Sequence, residues 1–354
     1  MSRRNLFNIS CPQPICVLLL VESSVSSIPT GWEIEMPGLE TRRLGRTGMK
    51  TRALGLGGGH LGDPASTDDE VIATVRGAIE RGINFVDTSP YYGVSEHRFG
   101  LALADGWRDK VYLQTKVGSH PRFLRDFSEE ATTWSLENSF RELRTEYVDS
   151  VLIHGPRYDM EAPLGACLDV LVDWKAKGRI GYIGIGVRQP EYHRRAIETG
   201  EIDIVLSYLD YTLLSQSIVE STIPLALEHD IGILLGSPLG GSMLAGPEPV
   251  VQKGSDQTHD QDGNLLPATI GGPTDPAVVS RAHRMWEWCN SRDLNIRDLA
   301  LQFALNAPVK GNGIVLTGPA NSEQFEQAYT SATTLVSDVV WQDFEAAFGV
   351  RTFQ

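Results

Sequence analysis

Eight short apolar runs, each ending in glycine or a polar residue, recur along this chain with room for a helix between neighbours. They are TRALGLG (51–57), INFVD (83–87), VYLQTK (111–116), VDSVLIH (148–154), IGYIGIG (180–186), DIVLSY (203–208), IGILLG (231–236) and GIVLTG (313–318). Runs this short and apolar suit strands buried on both faces, and the longer amphipathic runs between them suit helices, a pattern that builds a parallel sheet. The segment TDDEVIATVRGAIERG (67–82) has Thr67 as N-cap, Glu70 three residues on, apolar Val71, Ile72, Val75 and Ile79, and a closing Gly82. Further helices are predicted near 128–143, 164–177, 216–229, 275–292 and 296–305. Eight such units without a linker or a break in composition point to a (β/α)8 TIM barrel rather than a doubly wound sheet, and no solenoid repeat is present.

Charge narrows the partners. With 31 Lys+Arg against 45 Asp+Glu, the net charge of −14 repels phosphate backbones, so no nucleic acid partner is expected. The cysteines Cys11, Cys16, Cys167 and Cys289 are scattered and show no zinc spacing, which fits a reducing, cytoplasmic setting and no metal. The first 35 residues differ from the rest, with an Arg pair, an apolar run at 15–21 and a Ser-rich tail. They read as an export leader or as a disordered extension before a barrel spanning 36–354. Seven apolar residues cannot cross a bilayer, which takes about 20, so no membrane association is expected. The irregular stretch 246–274, rich in Gly, Pro, Asp and Gln, reads as a lid or a disordered loop.

In a barrel, polar residues at the C-terminal ends of strands converge on one mouth, where this architecture does its chemistry. Asp87 ends the second run, Tyr92 follows it by five residues, Lys116 ends the third and His154 the fourth. Each alone has a blander reading, as a helix cap, a packing ring or a core histidine. Together they make a proton-transfer set. A lysine buried at a strand end needs a partner, which Asp87 can supply, and an ammonium beside a tyrosine favours phenolate and pulls its pKa down from about 10. The histidine can donate to the same substrate oxygen while a hydride moves at the attached carbon.

The motifs FVDTSPYYG, LQTKVG, LIHGP and SPLGGSMLAG, in that order, resemble the landmarks of the aldo-keto reductase family from Leu39 to about Ala328. The resemblance implies Tyr92, Lys116, Asp87 and His154 as the catalytic tetrad, with Tyr91 its neighbouring decoy, and a nicotinamide cofactor held extended across the mouth. It implies cofactor contacts at Gly58, Gly59, Tyr208, Ser237, Leu239, Gly241, Gly318, Asn321 and Gln324, and a substrate contact at His60. The family's usual Ser-Asn and Asn-Gln positions hold Gly186 and Val187, and Ser207 and Tyr208, and its stacking aromatic is Gly236, so Tyr208 is expected to compensate as a ring that stacks or hydrogen-bonds. The family's 2′-phosphate cations are replaced by Gly318, Ala320 and Gln324, which implies NAD over NADP, with Lys253 or Lys310 as possible substitutes. The departures resemble the aldose 1-dehydrogenase and L-galactose dehydrogenase branch, which implies a sugar substrate oxidised at its anomeric carbon. A broad aldehyde reductase, and a regulatory barrel similar to potassium-channel β-subunits, are the alternatives.

Overall fold

The computed structural model describes residues 39–156, 159–250 and 275–353. The N-terminal 35 residues and most of the 246–274 stretch lie outside the described residues. The apolar runs become β3 (Leu54–Gly57), β4 (Phe85–Asp87), β5 (Tyr112–Val117), β6 (Val148–His154), β7 (Ile180–Gly186), β8 (Ile204–Tyr208), β9 (Gly232–Gly236) and β10 (Gly313–Thr317). They close a parallel barrel in chain order, β10 pairing back onto β3 through Val315 and Leu54. This is the expected (β/α)8 fold. Burial on both sides explains the runs: Leu152, Ile204, Leu234 and Ile314 fill the barrel interior, while Val86, Val151, Ile183 and Val205 pack in the cluster that also holds the helices' Val75, Leu136 and Phe303.

An antiparallel hairpin, β1 (Thr41–Arg43) and β2 (Lys50–Arg52), precedes the barrel. Leu44 and Met49, between its strands, join the interior cluster, and the Arg42 guanidinium donates to the carbonyls of Leu305 at 2.6 Å and Gly313 at 3.2 Å. The hairpin therefore seals the N-terminal end of the barrel and leaves the other end for chemistry. It also corrects the first predicted strand. Residues 51–57 serve two sheets, because Thr51 pairs with Arg42 whereas Leu54 pairs with Val315.

Helix α1 (Asp68–Glu80) begins with the expected Thr67–Glu70 capping box. Of the other expected helices, α3 (Glu129–Glu142), α4 (Leu168–Ala176), α7 (Pro276–Asn290) and α8 (Ile296–Leu305) form. Helix α6 covers only Thr222–Glu228 of the predicted 216–229, since Pro224 lacks an N–H and is tolerated only in a first turn. Four helices that periodicity did not single out also form: α2 (Ser95–Ala102), α5 (Pro190–Glu198), α9 (Ser322–Thr333) and α10 (Asp338–Phe348).

The tightest point of the plug is Gly45, whose φ is +53° and whose Cβ, if present, would lie 2.1 Å from the Gly232 backbone nitrogen. Gly45→Ala must push the hairpin off the start of β9, at an expected loss of roughly 3 kcal/mol or more. Urea denaturation measures it, and an unchanged midpoint would refute the plug.

Candidate active site

Asp87, Lys116 and His154 stand at or near the ends of three consecutive strands, and the pairing register Asp87–Gln114 and Lys116–Leu152 brings them to one rim. The Lys116 ammonium, 1% exposed, lies 2.6 and 2.7 Å from the two oxygens of Asp87 and 2.8 Å from the Thr88 carbonyl. Gln114 donates to Asp87 Oδ1 at 2.7 Å and accepts from Ser150 at 2.9 Å, so a buried chain of donors holds the carboxylate in place. Burial works against the lysine's charge, but Asp87 and Tyr92 outweigh it and hold its pKa above the ordinary value.

The loop after β4 explains which tyrosine enters. Tyr92 N–H donates to the Ser89 carbonyl at 3.0 Å, closing a β-turn with Pro90 in its second position. Tyr91 is left outside, 52% exposed, with its ring edge-on to His154 at 6.3 Å. Tyr92 turns inward, its ring centroid 4.7 Å from the Lys116 nitrogen and 5.9 Å from the His154 ring. Gly62 presses on the same loop, and a Cβ there would lie 1.5 Å from the Tyr92 carbonyl oxygen. The loop after β3 can thus lie against the tyrosine loop only because residue 62 has no side chain.

Tyr92 departs from expectation in one respect. Burial raises its pKa and the Asp87 charge adds to that, so the lowering influence of Lys116 is outweighed and the net shift is upward. In the free protein the hydroxyl is a proton donor at neutral pH, and phenolate is accessible only because the ammonium is beside it. Burial, with a smaller contribution from Lys116, pushes the His154 pKa down to about 3, so its ring is neutral at physiological pH. Its Nδ1 lies 2.7 Å from the Ser119 hydroxyl and 3.2 Å from that of Ser89. Donation to Nδ1 by the nearer hydroxyl, that of Ser119, is the arrangement that puts the ring proton on Nε2. Ser89 and Gln114 lie inside the quoted motifs, which assign them no role, and only their placement identifies them and Ser119 and Gly62.

His154 also lines a cleft of about 180 Å³ with Tyr91, Ser119, Leu124, Val187 and Tyr208. Of the expected cofactor positions, Tyr208 lines this cleft, and the others follow β3, β9 and β10. Gly59 and Gly318 are exposed, with no atom within 3.5 Å of where a Cβ would stand, and offer bare backbone for close approach. Ser237, Gly240 and Gly241 all have positive φ, curling the β9 loop, and Leu239 is half-buried against the outer core. Asn321 caps α9 by accepting from Gln324 N–H at 2.9 Å, while Gln324 accepts from Ala320 N–H at 2.9 Å. These are the residues that would hold a nicotinamide dinucleotide. Gly58 also carries a packing constraint: a Cβ there would meet Phe99 and Ser95 at 2.6 Å, and its N–H ties β3 to the Asp87 carbonyl at 2.7 Å. His60 is exposed beside Gly318 and is not among the residues lining the cleft. Arg297, which the sequence did not mark, donates to Gln327 Oε1 at 2.8 Å on α9 and to the Ala245 carbonyl at 3.1 Å. Among the described residues, no cluster of His, Cys, Asp or Glu could hold a metal ion, and no helix is long and apolar enough to cross a membrane.

Behind β5 a second carboxyl is buried. Glu96 on α2 is 3% exposed and accepts from the Thr115 hydroxyl at 2.5 Å, one residue before Lys116. Burial raises its pKa from 4.5 to about 7. A raised carboxyl makes folding less favourable as pH climbs from about 4.5 to about 7, after which the cost is complete. Relative to wild type, Glu96→Gln should therefore gain more melting temperature at pH 8 than at pH 5. Equal gains at both would show that Glu96 does not titrate in this range.

Three substitutions test the assignment. Tyr92→Phe and Lys116→Met should each cut turnover by roughly 100-fold or more, the scale of a lost positioned acid or base, with cofactor binding largely kept. Tyr91→Phe should leave turnover nearly unchanged, and the reverse pattern in steady-state rates would overturn the assignment.

The chain is similar to known proteins over most of its length. The aldo/keto reductase family model matches residues 53–347. The chain is 30% identical over 314 residues to the L-galactose dehydrogenase of Arabidopsis thaliana, covering 85% of this chain and 91% of that one. It is 26% identical over 331 residues to a D-threo-aldose 1-dehydrogenase of a Pseudomonas species, and 25% identical over 345 residues to the pyridoxal 4-dehydrogenase of Microbacterium luteolum. In each case 85% of this chain and 95% of the relative are covered. The crystal structure of a Pseudomonas aeruginosa protein described as a putative aldo-keto reductase superposes with a TM-score of 0.60 at 23% identity, over 83% of this chain and 94% of that one. The chain belongs to the aldo/keto reductase family of nicotinamide-dependent oxidoreductases.

Proposed function

We propose that this enzyme oxidises a free aldose at C1 to its lactone. The observation that carries the reading is the buried Lys116–Asp87 pair beside Tyr92, whose ring lies 5.9 Å from that of His154, the member of the set that lines a cleft at the barrel mouth. The bound nicotinamide supplies the hydride acceptor. Tyr92 takes the proton of the anomeric hydroxyl, Lys116 stabilises the phenolate side of that exchange, and the N–H of His154 holds the substrate oxygen. Asp87 offsets the lysine charge, so the tetrad presents no net cation to the substrate, which suits a neutral sugar rather than a sugar phosphate.

The relatives support the same substrate class. Aldoses and pyridoxal each carry an aldehyde and a hydroxyl placed to close on it, and dehydrogenating such a hemiacetal gives a lactone. The tetrad itself is indifferent to direction, since Tyr92 as acid runs the reverse step. A second reading, reduction of aromatic or aliphatic aldehydes, draws on the apolar walls of the cleft at Tyr91, Leu124, Val187 and Tyr208. A purely regulatory barrel would not need the four proton-transfer residues, and all four are in place.

For the cofactor we propose NAD, on the strength of Gly318, Ala320 and Gln324 at positions where cations would meet a 2′-phosphate. Among the described residues, Arg297 is a cation that reaches this side of α9, and it donates to an amide, a carbonyl and a hydroxyl. A panel of L-galactose, L-fucose, D-arabinose, D-galactose and D-glucose with NAD⁺ and NADP⁺, beside aldehydes with NADH and NADPH, tests both readings. The expected result is sugar oxidation with higher kcat/KM for NAD⁺. Activity confined to aldehydes would sink the sugar reading, and a higher kcat/KM with NADP⁺ than with NAD⁺ would sink the cofactor reading.

A further inference from the structure

Arg188 and Asp210 form a buried ion pair at the mouth that the proton-transfer residues do not use, their side chains 10% and 5% exposed. Arg188 grips the carboxylate through Nε at 3.1 Å and Nη2 at 2.7 Å, and Asp210 also accepts from Ser207 at 2.7 Å and Ser217 at 3.3 Å. Burying two charges costs desolvation that their attraction barely offsets, so such a pair says little about stability and more about a geometry that must be fixed. The backbone agrees. Leu209, between Tyr208 and Asp210, has φ +66°, a strained conformation for a bulky residue and one that concentrates at functional sites.

What is fixed is the Tyr208 ring. The Arg188 guanidinium carbon lies 5.7 Å from the ring centroid. Tyr208 pairs in register with Gly236 of β9, where a Cβ would stand 3.1 Å from the Tyr208 Cβ. Gly236 leads directly into the curled Ser237–Gly241 loop, so Tyr208 stands between that loop and His154, and it lines the cleft beside Val187 and Gln189.

We propose that the Arg188–Asp210 pair is a positioning device for the cofactor: by tying the loop after β7 to the turn after β8, it holds Tyr208 as the wall that the nicotinamide ring packs against. The inference rests on the cofactor placement proposed above and is independent of which substrate is oxidised. Arg188 and Asp210 are positioning residues, and Tyr208 is the contact.

The test measures NADH binding by fluorescence without substrate, in wild type, Tyr208→Leu and the double variant R188M/D210L, whose apolar replacements should preserve folding. The proposal expects NADH affinity to fall roughly tenfold in Tyr208→Leu and in R188M/D210L, with little further loss when all three changes are combined, because the ring and the pair act as one unit. A melting temperature near wild type in the double variant separates this from general damage. If R188M/D210L loses its cooperative thermal transition, Arg188→Lys, which keeps the charge but not the two-point grip, is read in the same way. Weaker binding in Tyr208→Leu with unchanged binding in R188M/D210L overturns the positioning role alone. Unchanged binding in Tyr208→Leu overturns the cofactor placement beneath it.

Discussion

Everything at the mouth is arranged around one buried charge. The Lys116 ammonium sits in the barrel with almost no contact with water, a location that would strip its proton were Asp87 not bonded to it through both oxygens. That requirement reaches outward in both directions. Asp87 is fixed by Gln114, and Gln114 by Ser150 on the next strand, so three consecutive strands hold one carboxylate. On the other side, the ammonium makes ionisation of Tyr92 accessible and depresses the pKa of His154 further, keeping that ring a neutral donor. The barrel supplies rigidity at the ends of adjacent strands, where a difference of a few tenths of an ångström decides whether a proton can pass.

The remainder of the mouth is built by omission. Gly62 lets the loop after β3 lie against the Tyr92 carbonyl, Gly58 lets Phe99 and Ser95 of α2 pack under the β3 end, and Gly236 leaves space beside Tyr208. These glycines admit close approach of backbone or ring, and the strained φ values at Leu209 and Ser237 lie at the neighbouring ends of β8 and β9. The opposite end of the barrel is occupied by the hairpin through Leu44 and Met49, so the mouth alone is open to substrate.

The barrel is legible in the sequence because strands buried on both faces must be apolar throughout, and eight such runs admit few closures. The tetrad is legible because its members lie at strand ends or one turn beyond. The rest depends on tertiary placement. Residues 51–57 read as one strand because nothing local marks the change of partner at Ala53. Arg188 and Asp210 are 22 positions apart and meet only across two loops. The direction of the Tyr92 shift cannot be read from sequence, because a neighbouring lysine is visible there whereas the depth of burial that outweighs it is not. The packing constraint at Gly58, where a Cβ would meet Phe99 and Ser95, is likewise invisible in the motif.

The central claim is electrostatic: the Lys116 ammonium, kept charged by Asp87, favours the ionisation of Tyr92. The pH profile of kcat for the oxidation, compared among wild type, Lys116→Met and Asp87→Asn, tests it most directly. Activity rises with pH as Tyr92 gives up its proton, so loss of the ammonium in Lys116→Met should move that rise to higher pH, and Asp87→Asn, which leaves the buried ammonium without the partner that keeps it charged, should move it the same way. Two variants that lose rate while the rise stays at the wild-type pH would contradict the account.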